Sequence, residues 1–252
     1  MKYSFFRVGP QGDRWAASFR GLWAVAVLSL VAASQVVLGS GGSSHGGEGF
    51  FGVTNLTLRP RQVTVEGKGL FSGVDVRPVG LSRVNSMIYD AMRLSREEKA
   101  QEAIALLSEV LEIEPTNRVA RTTMSVIYTS QGKGLESIRL LEGLIHDYPG
   151  DVGIQNNLAW VYATSVDKTL RDGVRSVELS KRALIRSPRN FHVWSTLSEG
   201  YYITGNFRKA ATSAYEALRL VQEGDASRED ILIYREQFRR AKKAFQAFQL
   251  VR

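Results

Sequence analysis

"EAIALLSEVLEIEPTN" (residues 102–117) is followed by two stretches built on the same plan, "SIRLLEGLIHDYPGD" (137–151) and "SVELSKRALIRSPRN" (176–190). Each carries a small residue near its start, then leucines or isoleucines at helical spacing, and stops at a proline. Proline ends a helix because it has no N–H for the ladder and its ring collides with the preceding turn. The three prolines, Pro115, Pro149 and Pro188, stand 34 and 39 residues apart. A period in this range marks a helical repeat array, in which each unit buries its apolar face only against its neighbours.

Registered on those prolines, the chain divides into units at 84–117, 118–151, 152–190 and 191–224, each with two amphipathic helices and a tight turn. The last unit carries Trp194, Leu197, Ser198, Tyr201, Gly205, Ala210 and Ala217. The second has Met124, Ser125, Tyr128, Gly132, Ser137, Leu141, Leu144 and Pro149, and the third has Leu158, Ala159, Tyr162, Ser176, Ala183 and Pro188. Ala91, Ala103, Leu107 and Pro115 fit in the first unit. This pattern resembles the tetratricopeptide repeat, with a large residue at unit position 4, leucine at 7, small residues at 8 and 20, glycine at 15 and proline at 32. Asp90 stands where leucine is usual, and Gln222 replaces the last proline. Five extra residues of the third unit fall in "TSVDKTLRDGV" (164–174), between its helices. The resemblance implies an all-α solenoid of about four helix pairs. Small residues at positions 8 and 20 let the helices of a pair approach, and larger ones fill the surrounding groove.

Residues 225–252 predict one more helix, closing the open end that a solenoid otherwise exposes. Ser227 is its N-cap, and Ile231, Tyr234, Phe238, Ala241 and Phe245 form an apolar stripe.

Ahead of the array, residues 1–20 hold Lys2, Arg7, Arg14 and Arg20 against Asp13. "GLWAVAVLSLVAASQVVL" (21–38) is uncharged, and eighteen helical residues span roughly 27 Å, enough for a bilayer core. Basic residues before it keep the N-terminus in the cytoplasm. The expectation is a single-pass inner-membrane protein with its repeats on the periplasmic or extracellular side. The alternative is a cleaved signal peptide, with Ala32-Ala33-Ser34 or Val37-Leu38-Gly39 as the small-residue site, and a periplasmic or secreted product. A Gly/Ser linker follows at 39–49, and 50–83 reads as an extended segment in which Val63 and Val65 pair with Val74 and Val76 as a hairpin.

The chain has no cysteine, which excludes disulfides, thiolate metal sites and a cysteine nucleophile. No phosphate-binding loop occurs, and His45, His146 and His192 lie far apart in sequence. No cofactor, metal or catalytic residue is predicted, and Glu97-Glu98 reads as a solvated turn. The net charge of +8 is uneven: seven acids face three bases over 84–117, and ten bases face four acids over 168–219. Export would separate the basic half from nucleic acid, which is not expected as a partner.

A binding module remains. In tetratricopeptide arrays the first helices of the units line a concave groove. The resemblance places Asn85, Ile88, Tyr89 and Met92 there, with Val119, Thr122, Thr123 and Val126 from the second unit. Asn156, Asn157, Trp160 and Thr164 come from the third, and His192, Ser195, Thr196, Glu199 and Tyr202 from the fourth. Members that clamp a chaperone's terminal carboxylate use several lysines and arginines, which this lining lacks. Its amides suit the backbone of a protein or extended peptide segment, and Trp160 and Tyr202 suit apolar anchoring. Packing between units is the competing role for both aromatics. The basic surface of Arg175, Lys181, Arg182, Arg186 and Arg189 is a second candidate. The expected function is a membrane-anchored adaptor or scaffold for a protein of the cell envelope.

Overall fold

Three of the prolines are followed two residues later by an asparagine or aspartate, and these residues start the next helices. Asn117 accepts from the Ala120 N–H at 2.9 Å, Asp151 from Ile154 at 3.0 Å and Asn190 from Val193 at 3.3 Å. One side chain thus supplies an acceptor to an N–H that has no partner within its own helix. Proline stops one helix, and the cap two residues on begins the next.

The structure is a computed structural model that describes residues 82–224 and 226–251. The stretch at 21–38, the linker and the hairpin of 50–80 lie outside the described residues. Those described form an all-α solenoid, with no strand among them. Its pairs are α1 (Arg83–Arg96) with α2 (Ala100–Ile113), and α3 (Arg118–Ser130) with α4 (Gly134–Asp147). Then come α5 (Val152–Thr164) with α6 (Gly173–Arg186), and α7 (Phe191–Ile203) with α8 (Phe207–Glu223). Helix α9 (Arg228–Leu250) covers the end, packed on α8.

Within each pair the small residues meet. Ala91 and Ala103, Ser125 and Ser137, Ala159 and Ser176, and Ser198 and Ala210 are all at most 1% exposed. Around them Leu107, Ile127, Leu141 and Leu144 fill the interior. Between units, the carbonyl of the terminating proline is itself used: Gln155 Nε2 donates to Pro149 at 2.7 Å, and Trp194 Nε1 donates to Pro188 at 2.8 Å. Arg118–Asp151 at 2.7 Å ties the start of the second unit to the residue that caps the next helix, and Arg189–Glu223 at 2.9 Å joins the third unit to the fourth.

The extra residues of the third unit form a closed loop. A 3-10 turn at Lys168–Leu170 is capped by Asp167, and Leu170 packs against the core around Ile154 and Leu158. Arg171 Nε donates to the Ser165 carbonyl at 2.8 Å, and the Asp172 N–H returns to the Tyr162 carbonyl at 3.0 Å. The insertion leaves the helix pair intact because its own backbone groups are satisfied locally.

Candidate protein-binding surface

Helices α1, α3, α5 and α7 are the first helices of the four pairs, and they carry the residues expected to line a groove. The structure closes most of that lining. Ile154 through Ala163 of α5 are all buried, which is unusual for a surface helix and natural for one packed on several sides. Trp160 is 3% exposed and belongs to the same core as Ile88, Met92 and Val126. Packing between units is therefore the role the structure shows for it. Thr123, Val126, Asn156 and Asn157 are buried too, while Tyr89 and Thr164 are half-buried.

The buried polar groups are unequally satisfied. Thr164 Oγ1 donates to the Trp160 carbonyl at 2.8 Å. By contrast, Thr123 Oγ1 and Asn156 Oδ1 are buried without a hydrogen-bond partner. An unpaired buried acceptor of this kind costs about 1–3 kcal/mol.

The fourth unit differs, because α9 occupies its inner side. Tyr234 Oη lies 2.9 Å from His192 Nδ1. Gln237 Nε2 donates to Glu199 Oε1 at 2.7 Å and to the Ser195 carbonyl at 3.0 Å, while Ser195 Oγ donates to Gln237 Oε1 at 2.9 Å. Arg240 pairs with Glu199, and its guanidinium stands 4.5 Å over the Tyr202 ring. Burial lowers the His192 pKa to about 4 against the opposing pull of Asp230, so the ring is neutral at pH 7. Burial also raises the Tyr234 pKa, which keeps its hydroxyl protonated. His192, Glu199 and Tyr202 thus hold the cap.

Sequence reasoning found the apolar stripe of α9, of which Tyr234 and Ala241 are buried, but missed Gln237 and Arg240. The only signal for them was a polar residue one turn either side of the stripe, opposite a carboxylate about 40 residues earlier. On the outer side, the basic candidates are partly consumed. Arg175 bridges Glu142 and the Tyr162 hydroxyl, at 3.3 and 2.8 Å, and Arg189 pairs with Glu223. Among the described residues, no group of three or more His, Cys, Asp or Glu is placed to hold a metal ion, and no helix is long and apolar enough to cross a membrane.

Residues 94–161 match a family model described as tetratricopeptide repeat. The chain is 23% identical over 133 residues to "ER membrane protein complex subunit 2" of Xenopus tropicalis, covering 53% of this chain and 41% of that protein. It is 22% identical over the same length to subunit 2-B of Xenopus laevis. The chain thus spans about two fifths of the length of the curated relatives it matches. Among solved structures, "MamA 41-end from Desulfovibrio magneticus RS-1" aligns with a TM-score of 0.48 at 15% identity, over 57% of this chain and 78% of that one. "MamA AMB-1 P212121" aligns with a TM-score of 0.44 at 22% identity, over 66% and 88%.

Proposed function

We propose that this chain, whose helix pairs are tetratricopeptide repeats, is a scaffold that holds a partner protein on the inner side of its first three units. Residues 21–38 tether it to the inner membrane of a cell envelope, with the repeats on the exported side. The observation that carries the reading is the set of first helices, on which Tyr89 and Thr164 stay half-buried while Thr123, Asn156 and Trp160 are closed off. Tyr89 offers an aromatic ring, and Thr164 a hydroxyl, to an extended segment lying against these helices. The fourth unit is left to the cap. The likeness to a protein named as a subunit of a membrane protein complex supports a partner within such a complex.

The test truncates the two half-buried side chains, Tyr89→Ala and Thr164→Ala, in the full-length chain. The array should stay folded, as its helicity and melt will show. Recovery of the crosslinked partner from native membranes should fall five- to tenfold, the equivalent of roughly 1–1.5 kcal/mol for truncated contacts. Unchanged recovery with an unchanged melt would remove the inner face from consideration.

A further inference from the structure

Two exposed helix faces at opposite ends of the array carry opposite charge. On α2, Glu102, Glu109 and Glu112 lie within one outward stripe, and none of them is ion-paired among the described residues. The exposed stripe of α9, opposite its buried Tyr234, Gln237 and Ala241, holds Arg235, Lys242 and Lys243, which likewise have no carboxylate partner among the described residues. Each face also presents an apolar side chain, Ile113 at 51% exposure and Leu232 at 52%. The spacings agree. Glu102 and Glu109 are seven residues apart, as are Arg235 and Lys242. At 1.5 Å per residue each interval is roughly 10.5 Å along its helix.

We infer that the α9 face docks the α2 face of a second copy of this chain. The cap of one molecule meets the first repeat of the next, a head-to-tail contact that leaves one complementary face open at each end. An anionic lipid surface would match the basic face alone, whereas a second copy accounts for both faces with one contact. Exposed ion pairs are individually weak and screened by salt, so the contact is reversible and forms at low ionic strength or at the high local concentration of a membrane. It does not use the inner face, and stands or falls separately from it.

The absence of cysteine makes a direct test possible. Ala105, exposed between Glu102 and Glu109, and Arg239, between Arg235 and Lys242, are replaced together by cysteine in the full-length chain in detergent. Mild oxidation at low salt should give a ladder of dimers, trimers and longer species. The two single variants mixed should give dimers only, and each alone should give none. The ladder should vanish when salt shortens the Debye length from roughly 10 Å to 3 Å, and when Glu102→Lys and Glu109→Lys are added. It should return when Arg235→Glu and Lys242→Glu are introduced as well. No ladder, a salt-insensitive ladder, or crosslinking of one single variant to itself would overturn the inference. Loss of binding to anionic phosphatidylglycerol vesicles on Lys242→Glu and Lys243→Glu, without any ladder, would reassign the basic face to lipid.

Discussion

Ser198 Oγ donates to the Ala210 carbonyl at 2.9 Å, and Ser137 Oγ donates to the Ser125 carbonyl at 2.9 Å, so the same two unit positions bond with their roles exchanged. Either arrangement requires the helices of a pair to approach closely, which only small side chains permit. Ser198→Ala should therefore cost about 1 kcal/mol. Ala210→Leu should overpack the pair and cost about 1–3 kcal/mol. Denaturant melts of the two variants check the order. Equal stability of Ala210→Leu and wild type would mean that the pair does not close here.

Glu98 has φ of 63°, where Gly132 and Gly205 have 75° and 76°. The first unit thus makes the same left-handed turn with a glutamate that the second and fourth make with glycine. A side chain in this region costs roughly 1–2 kcal/mol, part of which glycine returns as lost chain entropy. Glu98→Gly should raise stability by up to about 1 kcal/mol, read from the same melts. A loss of stability would show that Glu98 contributes something other than its backbone shape.

These turns show what was legible in the sequence. The helix pairs could be read because proline, capping residue and small pair act locally and recur at a fixed interval. The left-handed turn of the first unit was hidden, since glutamate is not a marker for it. The inner face was harder still. Asn156, Asn157 and Trp160 look like a surface on a helix with little amphipathic contrast, yet α5 is enclosed on all sides by its neighbours. Whether an amide lines an open groove or a closed one depends on the curvature of the whole array. The partners of Glu199, about 40 residues away on α9, are likewise beyond any local pattern. Trp160→Ala consequently reads first as a core truncation, and truncation of the half-buried Tyr89 and Thr164 is the cleaner probe of binding.

His192 sets a pH dependence. Its pKa of about 4 in the folded chain lies below the ordinary 6.5, so the unfolded chain takes up the proton first. Its contribution is fully present above pH 6.5 and is lost as pH falls toward about 4, at no more than about 1.4 kcal/mol per pH unit. His192→Gln should flatten that part of the curve when midpoints are measured between pH 7 and 4. Parallel curves for the two proteins would place the titration elsewhere.

The tether is tested at Val27. An arginine there should raise the cost of membrane insertion by about 2.5–3.5 kcal/mol. Protein that fractionates with membranes should then become soluble or be lost. Wild-type protein recovered wholly in the soluble fraction, with its N-terminus beyond residue 33, would favour the cleaved alternative.

The central claim is that a partner lies against the inner side of units one to three. Site-specific photo-crosslinking in native membranes tests it most directly, with the reactive group placed at Tyr89 or Thr164 on the inner rim, or at Ile185 on α6, which is 82% exposed. The account predicts an adduct of the same mass from Tyr89 and Thr164 and none from Ile185. An adduct from Ile185, with none from either inner position, would contradict it.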